Sequence, residues 1–193
     1  VRRVRVVVDD SLFPAPTRAY GWRASYTISD VSPVRALVLD QQRRWDTSLD
    51  AARIFAVMLE RRGVEVGRIV RGLRPEGATV LAEELGDDVA TQVAYMLRTS
   101  DNDVAEGLHR LVALQTGYAP TWEGAAQAQV AGLARVGVTL APGRLFDGSG
   151  LSRRDRLSPA EVAAVLRTAF DPAHPELAAL QHGALAVAGV SGT

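Results

Sequence analysis

A hydroxyl and a carboxamide lie close together in the middle of the chain, in the triplet Ser100-Asp101-Asn102. A serine hydroxyl can pass a proton, and an asparagine amide can both donate to and accept from a substrate peptide group. The flanking segments have helical spacing, so we predict that the triplet lies in a short turn between two helices. Serine, aspartate and asparagine are also the residues that a helix N-cap prefers, so the triplet alone leaves catalysis and capping both open.

The composition limits which other chemistry the chain can perform. It has 193 residues with 22 basic and 22 acidic side chains, and reading the sequence shows that every basic residue is an arginine. The balanced charge provides no basic surface for nucleic acid, so no nucleic-acid partner is expected. The absence of cysteine excludes thiolate catalysis and cysteine-bound metal. The absence of lysine excludes Schiff bases and Ser-Lys dyads within this chain.

Two stretches with different patterns predict an α+β fold. Residues 1–76 read as a β-rich module with one helix, which begins at Thr47 or Ser48 and ends near Arg62. The strands that we predict are Val4–Val8, Val34–Leu39, Glu65–Gly72 and Ala78–Leu81.

Residues 77–193 read as mostly helical. The predicted helices are Asp87–Arg98, Asp103–Thr116, Thr121–Val136 and Ser158–Phe170. The second of these has an apolar stripe at helical spacing, formed by Val104, Leu108, Leu111 and Val112. Ser158-Pro159-Ala160-Glu161 has the pattern of a capping box with proline at the first helical position.

Other residues that could carry chemistry have simpler interpretations. The three histidines show no paired-ligand spacing, so we expect structural or surface roles, no metal and no cofactor; they are His109, His174 and His182. Asp147 and Ser149 lie among glycines, which favours a tight turn over a catalytic pair. The tryptophans, Trp22, Trp45 and Trp122, are predicted to be packing residues.

Four segments, in order along the chain, resemble the penicillin-binding D-alanyl-D-alanine carboxypeptidases. The resemblance is to their class C low-molecular-mass group, peptidase S13, whose members also act as D,D-endopeptidases. The segments are Val7–Phe13 with Gly21-Trp22, Tyr95–Asn102 with Ala105-Glu106, Asp147–Arg153 with Arg156–Pro159, and Ala188–Thr193. Their order and spread make the resemblance far more specific than the triplet alone.

The resemblance implies a serine β-lactamase/DD-peptidase-like fold. Residues 77–193 would be the helical portion of its catalytic domain, and residues 1–76 part of the β-rich inserted domains. By resemblance, Ser100 would relay a proton toward the leaving amine, Asn102 would hydrogen-bond the substrate backbone, and Asp101 would orient or cap. The family's other motifs, Ser-x-x-Lys and Lys-Thr-Gly, both need lysine. We therefore expect this chain to be an internal fragment whose site is completed by the remainder of the same polypeptide.

The function that the resemblance implies is serine-type hydrolysis of peptidoglycan stem peptides ending in D-Ala-D-Ala. β-Lactam antibiotics would acylate the same serine, and the protein would act outside the cytoplasm, in the cell envelope or secreted. The chain alone is predicted to be inactive. One alternative is a class A β-lactamase, which shares Ser-Asp-Asn but for which neither the Asp147–Ser152 segment nor the long preceding module is expected. Another is a non-catalytic scaffold or binding domain of the same fold.

Overall fold

The chain divides into two compact units. A computed structural model describes residues 3–39, 45–177, 180 and 184–191. One unit comprises Val1–Arg18 and Arg23–Leu85, and the other comprises Ala19–Trp22 and Gly86–Thr193. Short as it is, the Ala19–Trp22 segment belongs with the second unit. The described residues form an α+β structure that is mostly helical, as predicted.

The first unit is a small parallel sheet covered by a helix. Its elements are β1 (Arg3–Val8), α1 (Tyr26–Ser29), α2 (Thr47–Glu60) and β2 (Glu65–Arg71). β1 pairs with β2 in parallel, from Arg3 opposite Glu65 to Val8 opposite Arg71. Parallel strands need a crossover connection, and α2 lies in that crossover. Val6 and Val8 of β1 pack against Ala52 and Ala56 of α2 in a buried apolar cluster.

Two of the predicted strands are wrong. The backbone of Val34–Leu39 is not in a strand, and its Val34 N–H instead donates to the carbonyl of Thr17 at 2.7 Å. Ala78–Leu81 is also irregular, and its largest side chain, Leu81, is 94% exposed. A short apolar run forms a strand only when a neighbouring strand pairs with it, and within the described residues neither segment has one.

An ion-pair network joins the ends of both strands to the start of α2. Asp10, which follows β1, is 8% exposed and accepts two hydrogen bonds from Arg71 at the end of β2, at 2.9 and 3.0 Å. Arg71 also donates to Asp46 at 2.7 Å, and Asp46 caps α2 by accepting from the Leu49 N–H at 3.1 Å. One guanidinium therefore fixes three element ends relative to one another.

The charges in this network keep Asp10 ionised. Burial by itself would raise the pKa of Asp10, but the hydrogen bonds and the charge of Arg71, together with the charge of Arg35, hold that pKa below its usual range. Arg35 approaches the Asp10 carboxylate to 3.6 Å. The buried carboxylate thus depends on guanidinium partners.

The second unit is built from four long helices. They are α3 (Val89–Thr99), α4 (Asn102–Gln115), α5 (Trp122–Arg135) and α6 (Pro159–Ala169). Each has a side-chain N-cap, and the caps are Asp88, Asp101, Thr121 and Ser158. The capping box predicted for Ser158 and Glu161 is confirmed. α3 is capped one residue later than predicted, and α4 begins at Asn102 rather than at Asp103 because the Asp101 carboxylate supplies its cap.

The apolar stripe of α4 is not buried: Val104 and Leu108 are half-buried, and the other two residues are exposed. Leu111 and Val112 are 41% and 42% exposed. The buried residues of α4 lie on the opposite face and are mostly polar: Glu106, His109, Arg110 and Ala113. Hydrophobicity therefore does not identify the side of α4 that packs within this unit.

Two apolar clusters hold the helices of the second unit. Ala113 of α4 packs against Ala125 and Ala128 of α5, where small side chains let the helices approach closely. Val138, Leu140 and Leu145 form the other cluster, with contributions from α5 and α6. In the described part of the chain, no helix combines the length and the hydrophobicity that crossing a bilayer would take.

Replacing Arg71 by leucine tests the ion-pair network of the first unit. The substitution removes the close partner of the buried Asp10, so we expect the free energy of unfolding, measured by urea denaturation, to fall by about 1–3 kcal/mol. Arg53→Leu is the matched control, because Arg53 also pairs with an aspartate, Asp50, but its own side chain is exposed. That control is expected to cost no more than about 0.5 kcal/mol. Equal losses in the two variants would contradict the role given to Arg71.

Candidate active site

The turn between α3 and α4 holds a serine in a strained backbone conformation. Ser100 ends α3 with φ 56° and ψ 43°, in the left-handed region. Among the described residues it is the one non-glycine residue with positive φ. Left-handed backbone costs a residue with a Cβ about 1–2 kcal/mol. The N–H groups of Ser100 and Asp101 both donate to the carbonyl of Met96, which closes the turn. Helices often end on a left-handed residue, but that residue is usually glycine and sometimes asparagine rather than serine.

Helix capping in the triplet is performed by its middle residue. The Asp101 carboxylate accepts from the Val104 N–H at 3.0 Å and so caps α4. Ser100, on one side of Asp101, is exposed, and Asn102, on the other side, is half-buried in the first turn of α4. The orienting or capping role expected for Asp101 is confirmed. Because Asp101 serves as the cap, the preference of N-caps for these residue types does not account for the serine or the asparagine.

A glycine-containing segment lies against α4. We call Asp147–Ser152 the glycine loop. The carboxylate of Asp147 is buried and accepts from the backbone N–H groups of Gly150 at 2.9 Å and Ser152 at 2.6 Å. It also accepts from the indole N–H of Trp22 at 2.7 Å. The tight turn predicted here is confirmed, and Asp147 is its organising residue.

The segment Ala19–Trp22 supports the glycine loop. The Ser152 hydroxyl donates to the carbonyl of Tyr20 at 2.8 Å. Gly21 has φ +94°, and a Cβ at this position would lie 2.5 Å from the Ser152 Oγ. Only glycine therefore fits at Gly21 without displacing the loop. Trp22 packs edge-on against Trp122 with ring centroids 5.6 Å apart, which confirms the packing role predicted for these two tryptophans. The packing role predicted for Trp45 is wrong, because its side chain is 69% exposed.

A buried glutamate binds the glycine loop to α4. Glu106 is 0% exposed, and its two carboxylate oxygens accept from the N–H groups of Gly148 and Ser149, both at 2.9 Å. A Cβ on Gly148 would lie 2.6 Å from the Cβ of His109 and 2.7 Å from the carbonyl oxygen of Ala105. The loop backbone therefore lies directly on α4. The sequence analysis placed Glu106 only within a family segment, and with Asp101 and Asp103 close by, nothing in the local sequence marks this acidic residue as buried.

Several buried charges surround this contact. Burial, and then the charge of Asp147, raise the pKa of Glu106 to about 7, although two backbone N–H groups favour its ionised form. Burial and the charge of Asp147 also raise the pKa of Asp155, which accepts from the Phe146 N–H at 2.9 Å. The fully buried Arg110 donates to the carbonyl of Pro120 at 2.6 Å. The loop contact is therefore electrostatic as well as steric.

Two of the three histidines, His109 and His174, lie within the described residues. His109 is 6% exposed and packs beside Trp122, so its predicted structural role is confirmed. His174 lies near the surface and contacts Glu176 at 3.0 Å, and His182 lies outside the described residues. No group of three or more potential metal-ligating side chains is found in the part of the chain that the structure describes.

Residues 41–193 match the D-Ala-D-Ala carboxypeptidase 3 (S13) family. This chain belongs to that family. The S13 chain is 32% identical to carboxypeptidase DacB of Mycolicibacterium smegmatis, and the match covers 100% of this chain and 44% of the relative. It therefore spans less than half the length of that curated relative. The resemblance inferred from the four sequence segments is confirmed.

Solved structures confirm the predicted fold class. Penicillin-binding protein 4 (dacB) from Haemophilus influenzae superposes with a TM-score of 0.76 at 20% identity, over 98% of this chain and 58% of that chain. The same protein complexed with a novel β-lactam superposes with a TM-score of 0.67 at 27% identity, over 77% of this chain and 34% of that chain. The division into inserted residues 1–76 and catalytic residues 77–193 remains a prediction.

Gly148→Ala tests the close approach of the glycine loop to α4. The added methyl group would collide with His109 and with backbone, so we expect the free energy of unfolding to fall by about 1–3 kcal/mol. Gly107→Ala, in the helix that the loop contacts, is the control, because a Cβ at Gly107 meets nothing within 4 Å. That control should be stabilised by up to about 1 kcal/mol. A loss in Gly107→Ala as large as that in Gly148→Ala would show that the collision is not the cause.

The buried His109 predicts how stability depends on pH. Burial, aided by Arg110, lowers the pKa of His109 from 6.5 to about 4. Unfolding therefore takes up a proton between these pH values, and stability falls as the pH is lowered through that window. We expect the native chain to lose about 3 kcal/mol more than His109→Gln over this range, measured by denaturant titration at each pH. Glu106 acts in the opposite direction but is present in both proteins, so the comparison cancels it. Parallel pH profiles would contradict the prediction.

Proposed function

We propose that the S13 chain supplies one of three active-site motifs to a serine-type D-Ala-D-Ala carboxypeptidase/endopeptidase. The observation that carries the proposal is the turn between α3 and α4. There the chain has a serine at a left-handed position, and Asp101 performs the capping, so a hydroxyl and an amide lie at one turn. Membership of the S13 family supports the reaction class.

The reaction is an acyl transfer. A serine hydroxyl oxygen attacks the carbonyl carbon of the penultimate D-alanine and forms an ester, while the bond to the terminal D-alanine nitrogen breaks. Ser100 passes a proton to that nitrogen, so that D-alanine leaves as a neutral amine. Water then hydrolyses the ester and restores the serine. In the endopeptidase reaction, the leaving nitrogen belongs to a cross-link amine.

Asn102 positions the substrate in this proposal. Its amide can donate to one substrate peptide group and accept from another, and its place in the first turn of α4 gives it a fixed starting point. It would also help to hold the lysine of the Ser-x-x-Lys motif. Because the chain contains no lysine, the nucleophile's base and the Lys-Thr-Gly motif must come from other parts of the polypeptide.

β-Lactams would follow the same route as the substrate. The nucleophilic serine opens the ring amide, and the resulting amine stays tethered to the acyl group, so the ester persists. The likeness to a penicillin-binding protein complexed with a β-lactam supports this part of the proposal. We place the protein outside the cytoplasm, where cross-linked peptidoglycan lies. The family match weighs against a class A β-lactamase.

Labelling with a fluorescent penicillin tests the proposed function. The intact protein that contains this sequence should be labelled, and Ser100→Ala and Asn102→Ala should each slow its acylation by about 100-fold or more. The isolated 193-residue chain should not be labelled. Thr116→Ala is the control, because it removes a hydroxyl that bonds to Val112 at the other end of α4.

Two results would contradict the proposal. Stable labelling of the isolated chain would mean that the nucleophile lies within it. An intact protein that is never labelled would favour a non-catalytic scaffold of the same fold.

A further inference from the structure

The two halves of α4 are held by different partners. In its second half, Ala113 packs into an apolar cluster with residues of α5. In its first half, the contact is polar and is made with the glycine loop, through Glu106. The first half is also the half that begins at the Ser-Asp-Asn turn. The orientation of that turn therefore depends on how firmly the loop holds α4.

Glu106 has the geometry of a clamp. It comes four residues after Asn102, so it lies about one turn, or about 6 Å along the axis, from the start of α4. Both of its carboxylate oxygens are used, one by Gly148 and one by Ser149, each at 2.9 Å. Two bonds from one planar group restrict rotation of the helix as well as its displacement. Gly148 adds a steric limit, because its backbone already touches α4.

The loop that Glu106 holds is itself rigidly supported. Asp147 at its start binds the indole N–H of Trp22, and Ser152 at its end binds the carbonyl of Tyr20. Both bonds are to the Ala19–Trp22 segment of the same unit. A bond to a mobile loop would restrain α4 only weakly, whereas Glu106 connects α4 to a loop that is fixed at both ends.

We propose that Glu106 is a positioning residue for the active site: by clamping α4 to the glycine loop, it sets where Ser100 and Asn102 point. Glu106 does not touch the substrate in this scheme and acts through the turn. The inference rests on the proposed function, because it assigns a purpose to the orientation of these two side chains.

The substitution Glu106→Gln in the intact protein tests the inference. The glutamine keeps the size of the side chain but turns an amide N–H toward one backbone N–H, so one of the two bonds is lost. We expect the rate of acylation by a fluorescent penicillin to fall about 10- to 100-fold, as for a reacting group displaced by a fraction of an ångström to one ångström. Glu106→Asp keeps the charge but is too short to reach both N–H groups. It should show a smaller loss in the same direction.

A double-mutant cycle separates positioning from a merely structural role. In a background that already lacks the Ser100 hydroxyl and the Asn102 amide, Glu106→Gln should change the acylation rate by no more than about twofold. A general loss of structure would reduce the rate by the same factor in both backgrounds. Gly148→Ala disturbs the same contact from the loop side and should show the same non-additive pattern. It replaces Glu106→Gln as the test variant if Glu106→Gln does not fold.

The matched control is Glu161→Gln. Glu161 is also a helical carboxylate that accepts two hydrogen bonds, from the Ser158 N–H and from Arg144, but it lies in the capping box of α6. We expect this control to lower thermal stability and to leave the acylation rate unchanged.

The outcomes distinguish this inference from the function on which it rests. Slower acylation in Glu106→Gln with the non-additive cycle supports the clamp. Normal labelling of both the parent protein and Glu106→Gln, or an additive cycle, overturns the positioning role and leaves the proposed function intact. A parent protein that is not labelled overturns both.

Discussion

The second unit depends on one buried carboxylate that accepts two backbone hydrogen bonds. Without Glu106, the N–H groups of Gly148 and Ser149 would lose their acceptor, and the first half of α4 would lose its polar anchor. Burying an ionisable group without hydrogen-bond partners is costly. The glycine loop and α4 therefore depend on each other for their stability. The contact also decides which face of α4 is turned inward. Asp147 extends the arrangement to Trp22, so a polar network organises the surroundings of the Ser-Asp-Asn turn.

The polar contact lowers the stability of the second unit but fixes the orientation of α4. Glu106 and Asp147 are acidic groups close enough for one to raise the pKa of the other. Apolar side chains of the same volume would avoid that repulsion, but they would not specify one orientation of the helix. Directional bonds at 2.9 Å leave little freedom in the placement of α4, and proposed active-site residues at its first turn benefit from that restriction.

The sequence predicted best what is decided locally. The capping box of Ser158 and Glu161, the turn at Ser100–Asn102 and the tight loop around Asp147 follow from neighbouring residues and were predicted correctly. The buried face of α4 could not be predicted, because Glu106 is bound by Gly148, 42 residues further along the chain. Apolar residues such as Leu111 instead remain exposed. The false strand at Val34–Leu39 fails for the same reason, since a strand requires a distant partner. The catalytic roles of Ser100 and Asn102 were predicted from resemblance and stay predictions.

The left-handed backbone at Ser100 has a consequence for protein engineering. Glycine, which carries no Cβ, adopts that conformation without penalty, and asparagine adopts it more easily than serine. A screen that rewards thermal stability alone would therefore tend to replace Ser100 by glycine and report an improvement. A screen for acylation would reject the same replacement if the hydroxyl relays the proton. Selection for stability and selection for acylation thus favour different residues at position 100. Libraries built to stabilise the protein should therefore keep Ser100 unchanged.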